Sequence, residues 1–116
     1  MRYFLLLLTA CLAAGCGSDA GVTPSDTTTV PTATVADVFT PGNTFSPFST
    51  TIKVGGSVRF NISGDQHNAI FGKVAGAPAD VNIVKDVVVT RTFTTRGTFP
   101  YDCTVHPGMS GRVVVQ

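Results

Sequence analysis

Glutamate is absent from this chain of 116 residues, so all seven acidic residues are aspartate, dispersed from Asp19 to Asp102. That dispersal offers no carboxylate cluster for a calcium or magnesium ion. Basic residues are equally sparse. After Arg2 they are Lys53, Arg59, Lys73, Lys85, Arg91, Arg96 and Arg112, each standing alone. Without a Lys/Arg run the chain lacks the electrostatic footprint of a nucleic-acid binder, and no nucleic-acid partner is expected. No stretch repeats its apolar residues at helical spacing over three turns. The Cys-x-x-Cys-His pattern of covalent haem attachment is also missing. A chain of this length has room for one small domain and little else.

What is present begins with a targeting segment. Arg2 supplies a positive charge, and Tyr3 to Ala14 form an apolar run too short for a comfortable membrane-spanning helix. The run ends in Ala13, Ala14 and Gly15, followed by Cys16, Gly17, Ser18 and Asp19. This arrangement resembles the lipobox of bacterial lipoproteins, which implies a signal peptide over residues 1–15 and a lipid on Cys16. Ala13 stands where that pattern usually has leucine. Leu8-Thr9-Ala10-Cys11 fits the local pattern but leaves a short hydrophobic stretch, and plain secretory cleavage near the same place is the other reading. All three readings place the protein outside the cytoplasm, and a periplasmic lipoprotein anchored to a membrane is expected.

Of the three cysteines, Cys11 would leave with the signal and Cys16 would be acylated, so the folded domain keeps only Cys103. An exported domain with one cysteine has no internal disulfide to form, and a free thiol there is open to oxidation unless burial or a metal protects it. Residues 16–36 are rich in Thr, Pro, Ser and Asp and lack the apolar content to bury a core; they read as a solvated tether. A strand at the domain edge is plausible only for the last few of them.

Residues 37–116 carry period-two alternation throughout. Ile52 and Val54 alternate with Thr51 and Lys53, and Val58, Phe60 and Ile62 alternate with Arg59 and Asn61. Val87, Val89 and Phe93 share one face; Phe99, Tyr101 and Cys103 share another; Val113 and Val115 close the chain. Turn residues separate the runs, as in Pro41-Gly42-Asn43, Gly55-Gly56 and Pro107-Gly108. Short strands so punctuated predict an all-β sandwich. Residues 72–80 fit this least well and read as an irregular excursion.

The chemistry is concentrated in one string, Tyr101-Asp102-Cys103-Thr104-Val105-His106-Pro107-Gly108-Met109-Ser110-Gly111. A thiolate, an imidazole and a thioether recur at every third residue, in a segment that Pro107 and Gly108 keep from continuing as a strand. A fourth donor must come from elsewhere, and His67 is the only other histidine. Two imidazoles, one thiolate and a weak thioether are the donors of a blue-copper site. Zinc prefers four strong ligands. Each donor alone has a plainer explanation: a satisfied core histidine, a cysteine serving as a small hydrophobe, a methionine filling the core. A Cys103–His106 nucleophile pair is the sharper rival, but it lacks a visible orienting group and oxyanion donors.

From Phe45 to Val115 the chain resembles the cupredoxins, closest to the plastocyanin and amicyanin group. The landmarks are Phe45-Ser46-Pro47, Ile52-Lys53-Val54-Gly55, Ser57-Val58-Arg59-Phe60, His67-Asn68, Gly97 to Cys103, and His106-Pro107-Gly108-Met109-Ser110-Gly111. Two residues on each side of His106 is the short, amicyanin-like spacing. Phe60 stands where many relatives carry tryptophan. The resemblance implies a Greek-key β-sandwich holding one copper ion near one end, cycling between Cu(II) and Cu(I), with His67, Cys103, His106 and Met109 as ligands. It further implies that Asn68 and Thr104 bond across the site, and that electrons pass through His106 and the surface around Pro107. The expected partners are transient redox proteins, a cytochrome or an oxidoreductase, together with the membrane reached through Cys16; a monomer is expected.

An electron shuttle, and not an enzyme, is therefore the leading expectation. Copper storage or delivery is the alternative, although such proteins favour methionine-rich or exposed sites and this chain has only Met1 and Met109. A catalytic copper oxidase or nitrite reductase needs a second centre, which two histidines cannot build.

Overall fold

The computed structural model describes residues 33–116. The expected signal segment, Cys16 and the tether up to residue 32 lie outside the described residues. Eight strands follow in order: β1 Val35–Phe39, β2 Ser49–Ile52, β3 Ser57–Ile62, β4 His67–Ala69, β5 Val81–Val84, β6 Val87–Thr92, β7 Gly97–Asp102 and β8 Ser110–Val115. No helix occurs among the described residues. The expected all-β architecture is what the chain forms.

Two three-stranded sheets make up the sandwich, in the orders β1-β3-β6 and β2-β8-β7, and β4 and β5 form a two-stranded pair. β1 runs parallel to β3, and β2 parallel to β8, while β3–β6 and β7–β8 are antiparallel. Alternation decides what faces inward. On β3, Val58, Phe60 and Ile62 are buried between Arg59 and Asn61; on β8, Gly111, Val113 and Val115 are buried. Pro100 sits in β7, an edge strand, where its missing N–H costs no interior ladder bond.

Aromatic rings form a connected cluster in the interior. Phe45, Phe60 and Phe71 meet the Tyr101 ring edge-on, with centroids 4.8, 5.3 and 5.5 Å away. Phe93 continues the cluster from Phe71 to Phe99 at 5.8 and 5.6 Å. Edge-to-face pairs of this kind add to the large apolar area each ring removes from water. Phe60 is completely buried within this cluster.

Several expectations need correction. β1 opens at Val35, two residues before the expected domain start at 37, because Val35 and Ala36 already pair with Ser57 and Val58. Backbone bonds from Lys53 and Ser57 reach back to the carbonyls of Ala33 and Thr34. Val54 lies in a turn after β2 and is exposed. Val87 is 41% exposed, against complete burial for Phe93, because β6 is an edge strand and Val87 opens it. Residues 72–80 carry no strand, in line with the expected excursion.

Candidate metal centre

Three stretches of chain converge at one end of the sandwich. The first is β4, whose three residues are all buried. β3 ends at Ile62, a polar turn through Gly64 and Asp65 follows, and His67 then pairs with Val84 of β5. Just past β4, Ile70 forms an antiparallel bridge with Asp102, its N–H donating at 2.9 Å and its carbonyl accepting at 3.1 Å. This bridge ties the His67 segment to the end of β7. Two residues further along the same antiparallel register, Asn68 meets Thr104. The Asn68 Nδ2 donates to Thr104 Oγ1, and the Thr104 amide donates to Asn68 Oδ1, both at 2.8 Å. A cross-link expected from family resemblance is thus present as two reciprocal bonds.

The second stretch is the end of β7, where Cys103 follows Asp102 and is 4% exposed. Its amide donates to the carbonyl of Met109 at 2.9 Å, which closes the loop at its neck. The third is the loop itself. The Met109 amide donates to the carbonyl of His106 at 3.2 Å, with Pro107 and Gly108 between them. Gly108 has φ +84, and a Cβ there would meet nothing within 4 Å, so backbone conformation and not space requires glycine. Pro and then Gly at the two central positions is the preference of a type II turn. The turn reverses the chain so that Met109, 3% exposed, returns beside Cys103.

The donor atoms of His67, Cys103 and His106 all lie within 4.8 Å of one another. Cys103 Sγ is 3.9 Å from the Nδ1 of each histidine, and the two rings are 4.7 Å apart between centroids. Separations of this size leave room for one ion bonded to all three at about 2.0–2.3 Å. His67 is fully buried; its Nδ1 faces Cys103 Sγ, and its Nε2 has no hydrogen-bond partner. Burial, followed by the neighbouring His106, holds its pKa below the ordinary imidazole value, against a weaker opposing pull from Asp65. A neutral imidazole is the form that binds metal. Cys103 is free and buried, the one cysteine among the described residues. Soft thiolate, two imidazoles and an adjacent thioether fit copper better than zinc or a hard cation. His67, Cys103, His106 and Met109 thus form a candidate copper site.

No protein-family model and no curated protein matches the chain. Solved structures do. A mutant amicyanin in its reduced Cu(I) form is 30% identical with a TM-score of 0.63, the match covering 71% of this chain and 82% of that one. Amicyanin from Paracoccus versutus is also 30% identical, with a TM-score of 0.61 over 71% of this chain and 81% of that one. The chain belongs to the amicyanin family of cupredoxins. A copper-containing nitrite reductase from Thermus scotoductus SA-01 is 29% identical, with a TM-score of 0.62 over 70% of this chain. The match spans only 22% of that longer enzyme.

The structure brings the expected His67, Cys103 and His106 together with Met109 adjacent, and the expected Asn68–Thr104 pair holds the loop, but two further supports left no sign in the sequence. Val84, the partner of His67, lies in a strand with no clean alternation, exposed at its two middle positions. The Ile70–Asp102 bridge leaves no local signature at all. His106 is half-buried, and Pro107 and Val105 beside it are exposed, so the loop presents an apolar rim around the edge of the site.

Proposed function

We propose that this cupredoxin carries single electrons between partner proteins on the extracytoplasmic side of a bacterial membrane. The observation that carries the reading is the convergence of His67, Cys103 and His106 within 4.8 Å, at a buried position beside Met109. Copper, when bound, supplies one-electron chemistry between Cu(II) and Cu(I). The chain's own residues supply the rest. Cys103 offers a soft thiolate kept from solvent and oxidation by burial. His67 and His106 offer imidazole nitrogens, and Met109 a weak thioether. Asn68 and Thr104 lock the loop against β4, which limits rearrangement when the charge at the site changes.

His106 is the ligand placed for exchange with a partner, being the one among the three clustered donors that is not buried. Pro107 and Val105 flank it with exposed apolar surface. A small apolar contact there suits a brief encounter with a cytochrome or an oxidoreductase, because weak redox complexes bury little area. Both histidines of the chain are used in this one cluster, which supports a carrier without an enzymatic centre of its own. Export and attachment through a lipid on Cys16 rest on the N-terminal pattern Ala13-Ala14-Gly15-Cys16.

Protein starting at Gly17 and loaded with Cu(II) tests the electron-transfer reading by voltammetry. A reversible one-electron wave, with copper retained through repeated cycles and the wave abolished in Cys103→Ala, is the expected result. Release of copper on reduction would overturn it in favour of delivery.

A further inference from the structure

Tyr101 and Gly111 face one another across β7 and β8. An ideal Cβ placed on Gly111 would lie 2.5 Å from Tyr101 Oη, 2.6 Å from Cζ and 2.9 Å from Cε2. Such contacts do not occur between real atoms, so the ring lies directly on the bare backbone of β8. An isolated tyrosine would swing aside to admit a methyl group. This one is 1% exposed and held edge-on by Phe45, Phe60 and Phe71. In an interior packed at crystal-like density, displacing it means displacing three other rings. The cheaper response is for β8 to move away from β7.

The position of this pair gives that movement a consequence. Side chains two residues apart on a strand share a face. Two residues past Tyr101 lies Cys103, and two residues before Gly111 lies Met109, the next antiparallel pair, joined by the Cys103 amide and the Met109 carbonyl at 2.9 Å. The Tyr101 hydroxyl has no hydrogen-bond partner. A buried, unpartnered hydroxyl is unfavourable, so the polar end of this residue is not what holds it in place; its shape is.

We infer that the Tyr101 ring packed on Gly111 is a spacer that sets the distance between the thiolate of Cys103 and the thioether of Met109. Tyr101 and Gly111 are positioning residues and touch no metal. The meaning of this spacing for electron transfer rests on the copper reading, since a thiolate and a weak thioether would tune such a site. The spacing itself does not depend on copper and is measurable in the metal-free protein.

The test compares the unsubstituted domain, Gly111→Ala, and the double variant Gly111→Ala/Tyr101→Leu. In metal-free protein, Gly111→Ala should shift the amide resonances of Cys103 and Met109, and the double variant should return both toward their original positions. In copper-loaded protein, Gly111→Ala should shift the thiolate-to-copper absorption band and weaken copper affinity by about 10–100-fold, the usual range for supporting residues. The double variant should recover most of both changes. A purely structural role predicts lower stability in Gly111→Ala with unchanged Cys103 and Met109 resonances and an unchanged band, and that result overturns the proposal. If Gly111→Ala does not fold, a folded double variant supports the coupling, and an unfolded one overturns it. If the unsubstituted domain gives no thiolate band, the copper reading fails, while the metal-free resonances still decide the spacer.

Discussion

At the level of single residues, the site is built from side chains whose burial has to be offset by specific partners. Asn68 is 4% exposed, and both ends of its amide are used by Thr104. Replacing it with alanine strands the Thr104 amide and frees the loop. Asn68→Ala should lower the stability of the metal-free domain by about 1–2 kcal/mol, the net worth of two partly buried hydrogen bonds whose Thr104 end water can reach. Urea unfolding checks this. His67 makes a pH-dependent contribution of known sign. Its folded pKa lies below the ordinary value of about 6.5, so the unfolded chain binds its proton first as pH falls. Stability from this group is therefore complete above about 6.5 and declines on acidification toward the folded pKa. Thermal midpoints of the metal-free domain should fall between about pH 7 and pH 5, and His67→Gln should flatten that portion of the curve.

Secondary elements explain which parts of the site were legible in the sequence. Cys103, His106 and Met109 sit in one loop, so their spacing could be read directly. His67 arrives through β4, three residues long and buried on every side. A strand that short has no alternation to detect, so elimination and family resemblance were the routes to its role. Val54 was misplaced because period-two patterning does not reveal where a strand stops, and the exposure of Val87 went unseen because the pattern does not reveal which strand lies at an edge. Residues 72–80 showed no pattern because polar contacts organise them. The Arg91 guanidinium, reaching from β6, donates to the carbonyls of Ala79 and Asp80 at 2.8 Å and to its neighbour Thr90 at 3.0 Å. The Asp80 carboxylate in turn accepts the Phe71 amide at 2.8 Å. Arg91→Ala should speed hydrogen exchange at Phe71 and cost about 1 kcal/mol, because water can replace much of an exposed hydrogen bond. The copper spectrum should not change, since Arg91 lies on a different strand from every ligand.

For the whole molecule, the fold concentrates its soft donors at one end and its aromatic mass behind them. Phe45, Phe60 and Phe71 surround Tyr101, which carries the order of the core to the strand that delivers Cys103. The general class was readable from alternation and turn residues alone. β7 and β8 pair as neighbours in sequence, but the Ile70–Asp102 bridge that ties the His67 segment to β7 depends on contacts distant in sequence, and no local pattern encodes it. The proposed attachment to a membrane through Cys16 belongs to this scale as well. Expressed in a bacterium with its N-terminal segment intact, the chain should partition with membranes, and Cys16→Ser should move it to the soluble or unprocessed fraction on immunoblotting. Unchanged membrane partition in that variant would remove the lipid anchor from the account.

The central claim is that Cys103, His67, His106 and Met109 together make a blue-copper centre. Titration of the metal-free domain from Gly17 onward with Cu(II), followed by visible absorption, tests it most directly. One equivalent of copper should produce an intense blue thiolate band that saturates at that point and is absent in Cys103→Ala. A colourless or weakly coloured complex, or a band that survives in Cys103→Ala, would contradict it.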